Sequence, residues 1–335
     1  MRRAGGDCAQ RMPRSERRRI QETTNTVMQQ ASELDNFQEL ARSFIPTPGD
    51  IPNVKGIDIF GGTLALSGSL GGDLIVYVDF KRFFDLDARI QHALDAGRPD
   101  LVANLRACQC KAGIAVVDVS GHRVTDAFLA GTLQQAFLLG AVYELDMFGQ
   151  VTKRLFENLN TQLYQSWAEN RFASLIYGEI SGDGRFQFLS AAFPPPRVFS
   201  RRYDRFMEVD EGLCVSFPPL GVIPSGHVTD RNKTSSVLGF KDHYTINQWV
   251  LMGEGDILLM HTDGLTEHWR PGDPYCPLHL ERKLREVKDG SAREIFEAVT
   301  EDLRSFSNPR DDISLVAIKR TKLPSVHGSA ACAST

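Results

Sequence analysis

The segment from Ile114 to Ala130, IAVVDVSGHRVTDAFLA, constrains the fold most strongly, because it joins an apolar run, an acid, a tight turn and a helix start. The partly β-branched run 114–117 predicts a core strand, which a Ser-Gly turn ends. Apolar residues then recur at helical spacing from Phe128 onward. Asp118 is therefore predicted at a strand end between two rigid elements, a position that suits a metal-ligating carboxylate.

The composition is that of a globular protein with enough apolar residues for a full core, 42% of 335 residues. The formal net charge of −4 gives no basic footprint for nucleic acid, and no apolar run approaches the length of a membrane-spanning helix. The arginine-rich N-terminus lacks the apolar stretch of a secretory signal. We therefore expect a cytoplasmic protein that binds neither nucleic acid nor membranes.

The chain divides into a core and extensions. Residues 1–14 are polar and basic, so we expect a disordered tail there. Residues 15–45 carry sparse apolar residues at helical spacing, which predicts an amphipathic helical extension. Either this helix packs on its own domain, or it dimerises the protein or receives a partner. No break divides residues 46–320, which we interpret as one domain, and residues 321–335 are expected to form a flexible tail.

Strand patterns in the core occur in groups, with helices between the groups. We predict one hairpin from 57–67 and 73–80, and a second from 172–180 and 185–190, because glycine-rich turns separate the strands. Helical patterns cover 86–108, 125–141, 147–167 and 280–303, and further strands are predicted near Val198 and over 246–251, 256–261 and 313–319. This grouping favours an α+β fold of antiparallel sheets in a layered sandwich over a parallel array.

Acidic residues recur where a predicted strand meets a turn: Asp73, Asp118, Asp263 and the pair Asp311 and Asp312. Aspartates crowded at one edge of a sandwich repel one another unless cations lie among them, and oxygen ligands favour Mg²⁺ or Mn²⁺ over Zn²⁺. Two such ions about 3.5–4 Å apart activate water for displacement at phosphorus, which suggests phosphate-ester hydrolysis. The alternative is that each aspartate is a turn former that bonds its own backbone.

Five sequence motifs occur in one order along the chain. They are GGD at Gly71–Asp73, DVSGH at Asp118–His122, PLGV at Pro219–Val222, TDGLTE at Thr262–Glu267 and RDDISLV at Arg310–Val316. With these motifs the chain, from about Phe44 to Arg320, resembles a PP2C-type (PPM) serine/threonine phosphatase of the bacterial SpoIIE/RsbU-like class. The resemblance implies an αββα sandwich of two antiparallel sheets flanked by helices. It also implies hydrolysis by water activated by two Mn²⁺ or Mg²⁺ ions, without a phosphoenzyme.

The resemblance further implies a metal-binding role for residues of four motifs. By this resemblance Asp118 bridges the two ions and is joined by the backbone carbonyl of Val119, while Asp73 binds one ion and Asp263 and Asp311 bind the other. Asp312 is the alternative to Asp311, since only one of two adjacent residues points inward from a strand. We interpret Glu267, just past the Thr-Asp-Gly turn, as a solvated acid.

The turn after Asp118 carries two candidate catalytic residues. His122 either positions a water or the leaving group, or is a turn histidine bonded locally. Arg123 stands where similar proteins usually have glycine, and it either clamps a substrate phosphate or lies on the surface. A second departure is Ala192-Phe193, where similar proteins have a Gly-His pair. Neither departure removes an implied metal ligand.

The resemblance implies a phosphoprotein substrate, commonly a STAS-type anti-sigma-factor antagonist in a partner-switching pathway. Residues 15–45 precede the core, so we expect a homodimer or a separate regulator to use them. One rival interpretation is a non-catalytic module that binds a phosphoprotein, against which the intact acids argue. The other is a nucleotidyl cyclase, suggested by Gly71–Asp73, which would need base-reading residues near paired acids.

Overall fold

The computed structural model describes residues 14–43, 47, 50–66, 71–121, 124–167, 171–226 and 231–322. The tails expected over residues 1–14 and 321–335 lie almost entirely outside the described residues, except for Arg14 at one end and residues 321–322 at the other. His122 and Arg123 also lie outside them.

The described residues form helices and strands throughout the core. The helices are α1 (Arg14–Arg42), α2 (Phe80–Phe83), α3 (Leu86–Asp95), α4 (Pro99–Cys108), α5 (Val124–Phe148), α6 (Lys153–Ser166), α7 (Asp263–Thr266), α8 (Leu278–Val287) and α9 (Ala292–Phe306). The strands are β1 (Ile57–Leu64), β2 (Asp73–Val78), β3 (Lys111–Val119), β4 (Ala173–Ser181), β5 (Phe186–Ala191), β6 (Arg197–Ser200), β7 (Arg205–Phe206), β8 (Ser216–Phe217), β9 (Asn247–Trp249), β10 (Ile257–His261), β11 (Trp269–Arg270), β12 (Asp273–Pro274) and β13 (Ile313–Arg320). Among the helices described, none combines the length and the hydrophobicity needed to cross a bilayer.

The strands form two main sheets. The first has the order β1-β13-β10-β6-β7, and the second has the order β2-β3-β4-β5-β8, with β9 also paired to β5. The long pairs are antiparallel, whereas the short β5–β8 pair is parallel. Strands β11 and β12 form a separate ribbon. The predicted α+β class with antiparallel sheets is confirmed.

Strand β3 shows how the layers are arranged. Its residues Ile114 and Val116 belong to the core between the two sheets, whereas Ala115 and Val117 belong to the core shared with α5 and α6. This is the two-residue period of a strand. Because protein covers both faces, the run is apolar throughout instead of alternating. A third core joins β10 and β13 to α8 and α9, so the layers follow the order helix, sheet, sheet, helix.

Two sequence predictions about connections are wrong. The segments 57–67 and 73–80 do not form a hairpin, because β1 pairs with β13 in one sheet and β2 pairs with β3 in the other. Turn residues indicate a change of chain direction but not which strand lies alongside. The helix predicted over 280–303 is two helices, because Ser291 and Glu294 form a capping box that starts α9. The hairpin predicted from 172–180 and 185–190 is confirmed as β4 and β5.

Candidate active site

Strand ends from both sheets meet at one edge of the sandwich. In the second sheet Asp73, at the start of β2, lies directly opposite Asp118, near the end of β3. In the first sheet β10 ends two residues before Asp263, and β13 begins directly after Asp311 and Asp312. The antiparallel pairing of β10 with β13 places these two ends side by side. The register therefore gathers acids from distant parts of the sequence.

A hydrogen bond between the two sheets orients Asp73. Thr262 Oγ1 donates to Asp73 Oδ2 at 2.8 Å, and it accepts a hydrogen bond from the backbone N–H of Ser314 at 2.9 Å. Burial raises the pKa of Asp73 well above its usual value, and the charge of Asp118 raises it further. The Thr262 hydroxyl acts in the opposite direction, while Asp312 adds to the increase. Asp73 is thus a poorly hydrated carboxylate beside like charges.

The neighbours of Asp118 extend this cluster. Burial raises the pKa of Asp118 to about 7, and the charges of Asp263 and Asp311 contribute to the increase. Ser174 Oγ, 3.4 Å from Asp118 Oδ2, lowers it slightly. Withdrawal from water also raises the pKa of Asp263, followed by the charges of Glu267 and Asp311. These shared causes identify one electrostatic cluster, which a bound cation would stabilise.

The adjacent acids Asp311 and Asp312 have different surroundings. Asp312 is buried, and its carboxylate accepts hydrogen bonds from the backbone N–H groups of Leu66 (2.7 Å) and Gly72 (3.0 Å). Asp312 therefore links the segment after β1, at Leu66, to the segment before β2, at Gly72. Asp311 is exposed and accepts a hydrogen bond from the N–H of Asp312 at 2.8 Å. Solvent reaches Asp311, whereas Asp312 already has two backbone donors from another part of the chain.

The two glycines before Asp73 leave space for oxygen atoms. A Cβ on Gly72 would overlap the carbonyl oxygens of Val119 and Gly121, and a Cβ on Gly71 would overlap the Asp312 carboxylate. Glycine is therefore needed here for close approach and not for a hairpin turn. The same spacing brings the Val119 carbonyl next to the start of β2.

Two polar residues beyond the predicted set hold this edge together. Thr262 links Asp73 to β13, as described above. Asp126, in the first turn of α5, is 1% exposed and pairs with Arg171, which also donates to the Ser120 carbonyl at 3.2 Å. This contact fixes the turn after Asp118 to the segment before β4. An acid in a first helical turn is common, so the sequence carries no signal that separates Asp126 from an ordinary helix start.

The departure at Ala192-Phe193 affects the fold instead of the acid cluster. Ala192 has φ of 50°, in the left-handed region that favours glycine. Phe193 is buried in the core between the sheets. The chain thus keeps a backbone shape suited to glycine while it uses an alanine, and the phenylalanine serves packing.

The donor chemistry fits a hard divalent cation. In the described part of the chain, no group of three or more His, Cys, Asp or Glu side chains forms a ready metal cluster. The atoms around Asp73 and Asp118 that could bind a metal are carboxylate and main-chain oxygens, which Mg²⁺ and Mn²⁺ prefer. The crowded like charges and the close approach of the Val119 carbonyl oxygen to Gly72 agree with this chemistry.

Comparison with known proteins gives a family and a fold. The family model described as stage II sporulation protein E (SpoIIE) matches residues 110–321. The RsbU and RsbW domains of Rv1364c from Mycobacterium tuberculosis are similar in structure, with a TM-score of 0.56, 21% identity, and coverage of 84% of this chain and 65% of that chain. A search of the curated proteins found no match.

Two further solved structures are similar. The PP2C phosphatase domain and regulatory fragment of SpoIIE from Bacillus subtilis has a TM-score of 0.53 and 17% identity, and the alignment covers 79% of this chain and 64% of that one. The SiaA PP2C domain of Pseudomonas aeruginosa has a TM-score of 0.56 and 16% identity, with 89% and 99% covered. The chain thus spans slightly less than two thirds of the Mycobacterium and Bacillus structures.

The stacked antiparallel sheets, the flanking helices and the similar solved structures define a protein of the PP2C fold class. Within that class, the chain belongs to the SpoIIE family, whose model covers more than half of it. The resemblance seen in the five motifs is therefore confirmed.

Proposed function

We propose that this chain is a metal-dependent protein phosphatase that holds two Mn²⁺ or Mg²⁺ ions at the joined strand ends. The proposed ligands are Asp73, Asp118 with the Val119 carbonyl, Asp263 and Asp311. The main support is that strand ends of both sheets bring acids together: Asp73 lies opposite Asp118, and the charges of Asp263 and Asp311 help to raise the pKa of Asp118. Asp312 is a structural carboxylate in this proposal, because two backbone N–H groups already occupy it.

Bound ions would activate water and neutralise charge that develops at the phosphoryl group. The chain's own residues orient the ligands: Thr262 fixes the Asp73 carboxylate, and Asp126 with Arg171 fixes the turn that follows Asp118. His122 and Arg123 extend from that turn in sequence. We retain them as proposed residues for placing the water or leaving group and for binding the substrate phosphate.

The proposed substrate is phosphoserine or phosphothreonine on a protein, specifically a STAS-type anti-sigma-factor antagonist in the cytoplasm. Membership of the SpoIIE family supports this, as does the similar structure that contains RsbU and RsbW domains.

We also propose that residues 15–45 form a contact for a second copy or a separate regulator. The described side chains of helix α1 are exposed, including those of Ile20, Val27 and Met28, and α1 contacts α5. Because α5 begins just after the turn that follows Asp118, a partner on α1 could influence the acid cluster. Removal of residues 1–44 should change the oligomeric state in light scattering or the specific activity, and an unchanged value of both would contradict this proposal.

The enzymatic test compares hydrolysis of p-nitrophenyl phosphate and of a phosphoserine peptide in Mn²⁺, Mg²⁺ or EDTA. We expect turnover that requires metal and falls at least about 100-fold in Asp118→Asn and Asp263→Asn. Asp100→Asn, which changes an exposed acid in the first turn of α4, is the control and should retain full activity. No turnover by folded wild-type protein that still binds the phosphopeptide would support the non-catalytic module instead.

A further inference from the structure

An arginine stacked on a tryptophan lies next to the proposed ligands. Arg310 Cζ is 3.9 Å from the centroid of the Trp269 ring. Arg310 directly precedes Asp311, and Trp269 follows Glu267 by two residues. Both side chains reach solvent, and Trp269 is 41% exposed. The stacked pair therefore lies on the surface beside the acid cluster.

The ribbon that carries Trp269 is held firmly against α9. The Trp269 carbonyl accepts a hydrogen bond from Ser307 Oγ at 3.3 Å, and the buried His268 lies 3.1 Å from the Leu303 carbonyl through Nε2. Arg270 stacks on Phe306 on the neighbouring side. Because these contacts fix the ribbon, the indole offers a rigid support for the Arg310 guanidinium.

The surroundings of Arg310 differ from those of two other stacked arginines. Arg270 stacks on Phe306 and also pairs with Asp273 at 2.8 Å, and Arg293 stacks on Phe60 beside Glu297 at 3.9 Å. For Arg310, no carboxylate of the described ranges lies within ion-pair distance. Stacking uses the flat face of a guanidinium and leaves its N–H edge open to an oxyanion with two acceptor oxygens.

We propose that Arg310, supported by Trp269, positions the substrate by binding one of its oxyanions at the edge of the acid cluster. The oxyanion is either the phosphoryl group or a carboxylate next to the phosphorylated residue, since both fit the guanidinium fork. The inference rests on the proposed phosphatase function. In this proposal Arg310 neither transfers a proton nor binds a metal ion, so its replacement should change mainly the affinity for the substrate.

The kinetic test uses Arg310→Gln, Arg310→Lys and Trp269→Leu, with Arg293→Gln as the control because Arg293 is also stacked on an aromatic ring. We expect Arg310→Gln to raise KM for a phosphoserine peptide about tenfold, with a smaller change in kcat. Arg310→Lys keeps the charge but loses the fork, so KM should rise less, and Trp269→Leu should give an intermediate increase. Arg293→Gln should leave KM unchanged.

Three substrates distinguish the sources of the oxyanion: p-nitrophenyl phosphate, and phosphoserine peptides with and without a neighbouring glutamate. An equal rise in KM for p-nitrophenyl phosphate and for the peptide identifies the phosphoryl group. A rise confined to a peptide with glutamate beside the phosphoserine identifies a carboxylate. Unchanged KM values for all substrates in Arg310→Gln overturn the inference.

A binding experiment separates this inference from the proposed catalysis. The acidic phosphopeptide is titrated calorimetrically into Asp118→Asn protein and into the double variant that also carries Arg310→Gln. The protein that retains Arg310 should bind at least about tenfold more tightly. Equal binding, or no binding, by the two folded proteins overturns the role of Arg310 whatever the turnover. Absence of metal-dependent turnover in the wild type, together with Arg310-dependent binding, would instead overturn the phosphatase proposal alone.

Discussion

Charged side chains lie half-buried at both ends of β3. Among the described contacts, an opposite charge pairs with them only at the start of the strand. At the start of the strand, Lys111 Nζ donates to Glu179 Oε2 at 2.5 Å, and Tyr177 donates to Glu179 Oε1 at 2.8 Å. At the other end, Asp118 lies opposite Asp73 among further acids. The same strand therefore holds an ion pair and a cluster of like charges.

The pKa values express this difference. Burial is the largest single influence on Lys111 and acts to lower its pKa, but the charge of Glu179, the neighbouring Cys108 and the hydrogen bond to Glu179 together outweigh burial, so the pKa is raised. At the other end, burial and neighbouring acids act in the same direction and raise the pKa of Asp73 and Asp118. An ion pair such as Lys111–Glu179 needs no further counterion, whereas a cluster of like charges indicates a site that binds an ion of opposite charge.

Activity should separate the two ends most strongly. We expect Asp73→Asn to lower Mn²⁺-dependent kcat at least about 100-fold, because it removes a proposed ligand. Lys111→Met should leave kcat per folded molecule within about twofold, since Lys111 lies at the opposite end of β3. Steady-state kinetics on protein quantified by its folded fraction checks both. A similar loss in the two variants would mean that the ends do not differ in function.

Stability should show the opposite order. Lys111→Met leaves Glu179 buried without its cation, which costs about 3–5 kcal/mol of unfolding free energy. The double variant with Glu179→Gln should recover part of that loss, because the unpaired charge is gone. Urea denaturation measures both values. A loss below about 1 kcal/mol for Lys111→Met would show that the pair contributes no more than a surface ion pair.

Thr262 should have a smaller effect, confined to the acid end. Thr262→Val removes the donor to Asp73 and leaves the Ser314 N–H without its acceptor, so we expect a loss of about 1–3 kcal/mol. Thr262→Ser retains the hydroxyl and serves as the matched control. Equal stability of the valine and serine variants would contradict a role for this hydrogen bond.

The pH dependence of stability should also distinguish the acid end of β3. In metal-free protein the pKa of Asp118 is about 7, so between pH about 4 and 7 the folded state holds a proton that the unfolded state releases. The stabilisation is therefore present at low pH and is lost as the pH rises through 7. In denaturation experiments in EDTA, the unfolding free energy of Asp118→Asn should depend less on pH between about 4 and 7 than that of the wild type. An equal pH dependence of the two proteins would contradict the raised pKa.

Sequence patterns predicted the buried run of β3 and the β4–β5 hairpin, but not the partners of β1 and β2. The apolar run 114–117 and its turn indicated that Asp118 lies near a strand end, because burial on both faces leaves a clear local signal. The partition of β1 and β2 between two sheets left no such signal, since strand pairing depends on distant residues. The ligand assignments themselves stay predictions.

Contacts between distant residues also separate Asp311 from Asp312. The two acids look alike in the sequence, and the alternation of a strand indicates only that one of them points inward. Backbone N–H groups of Leu66 and Gly72 determine which one is buried, and these lie about 240 residues earlier in the chain. Thr262 was likewise part of a recognised motif, but its bond to Asp73 depends on how the sheets stack.

Calorimetric titration of Mn²⁺ into metal-free protein tests most directly whether the acid end of β3 is a metal centre. We expect about two ions per wild-type chain, and loss of at least one of them in Asp118→Asn. Lys111→Met should bind the same number of ions as the wild type, because its change lies at the balanced end. Equal binding by the wild type and Asp118→Asn, or no binding by folded wild-type protein, would contradict a metal centre at Asp118.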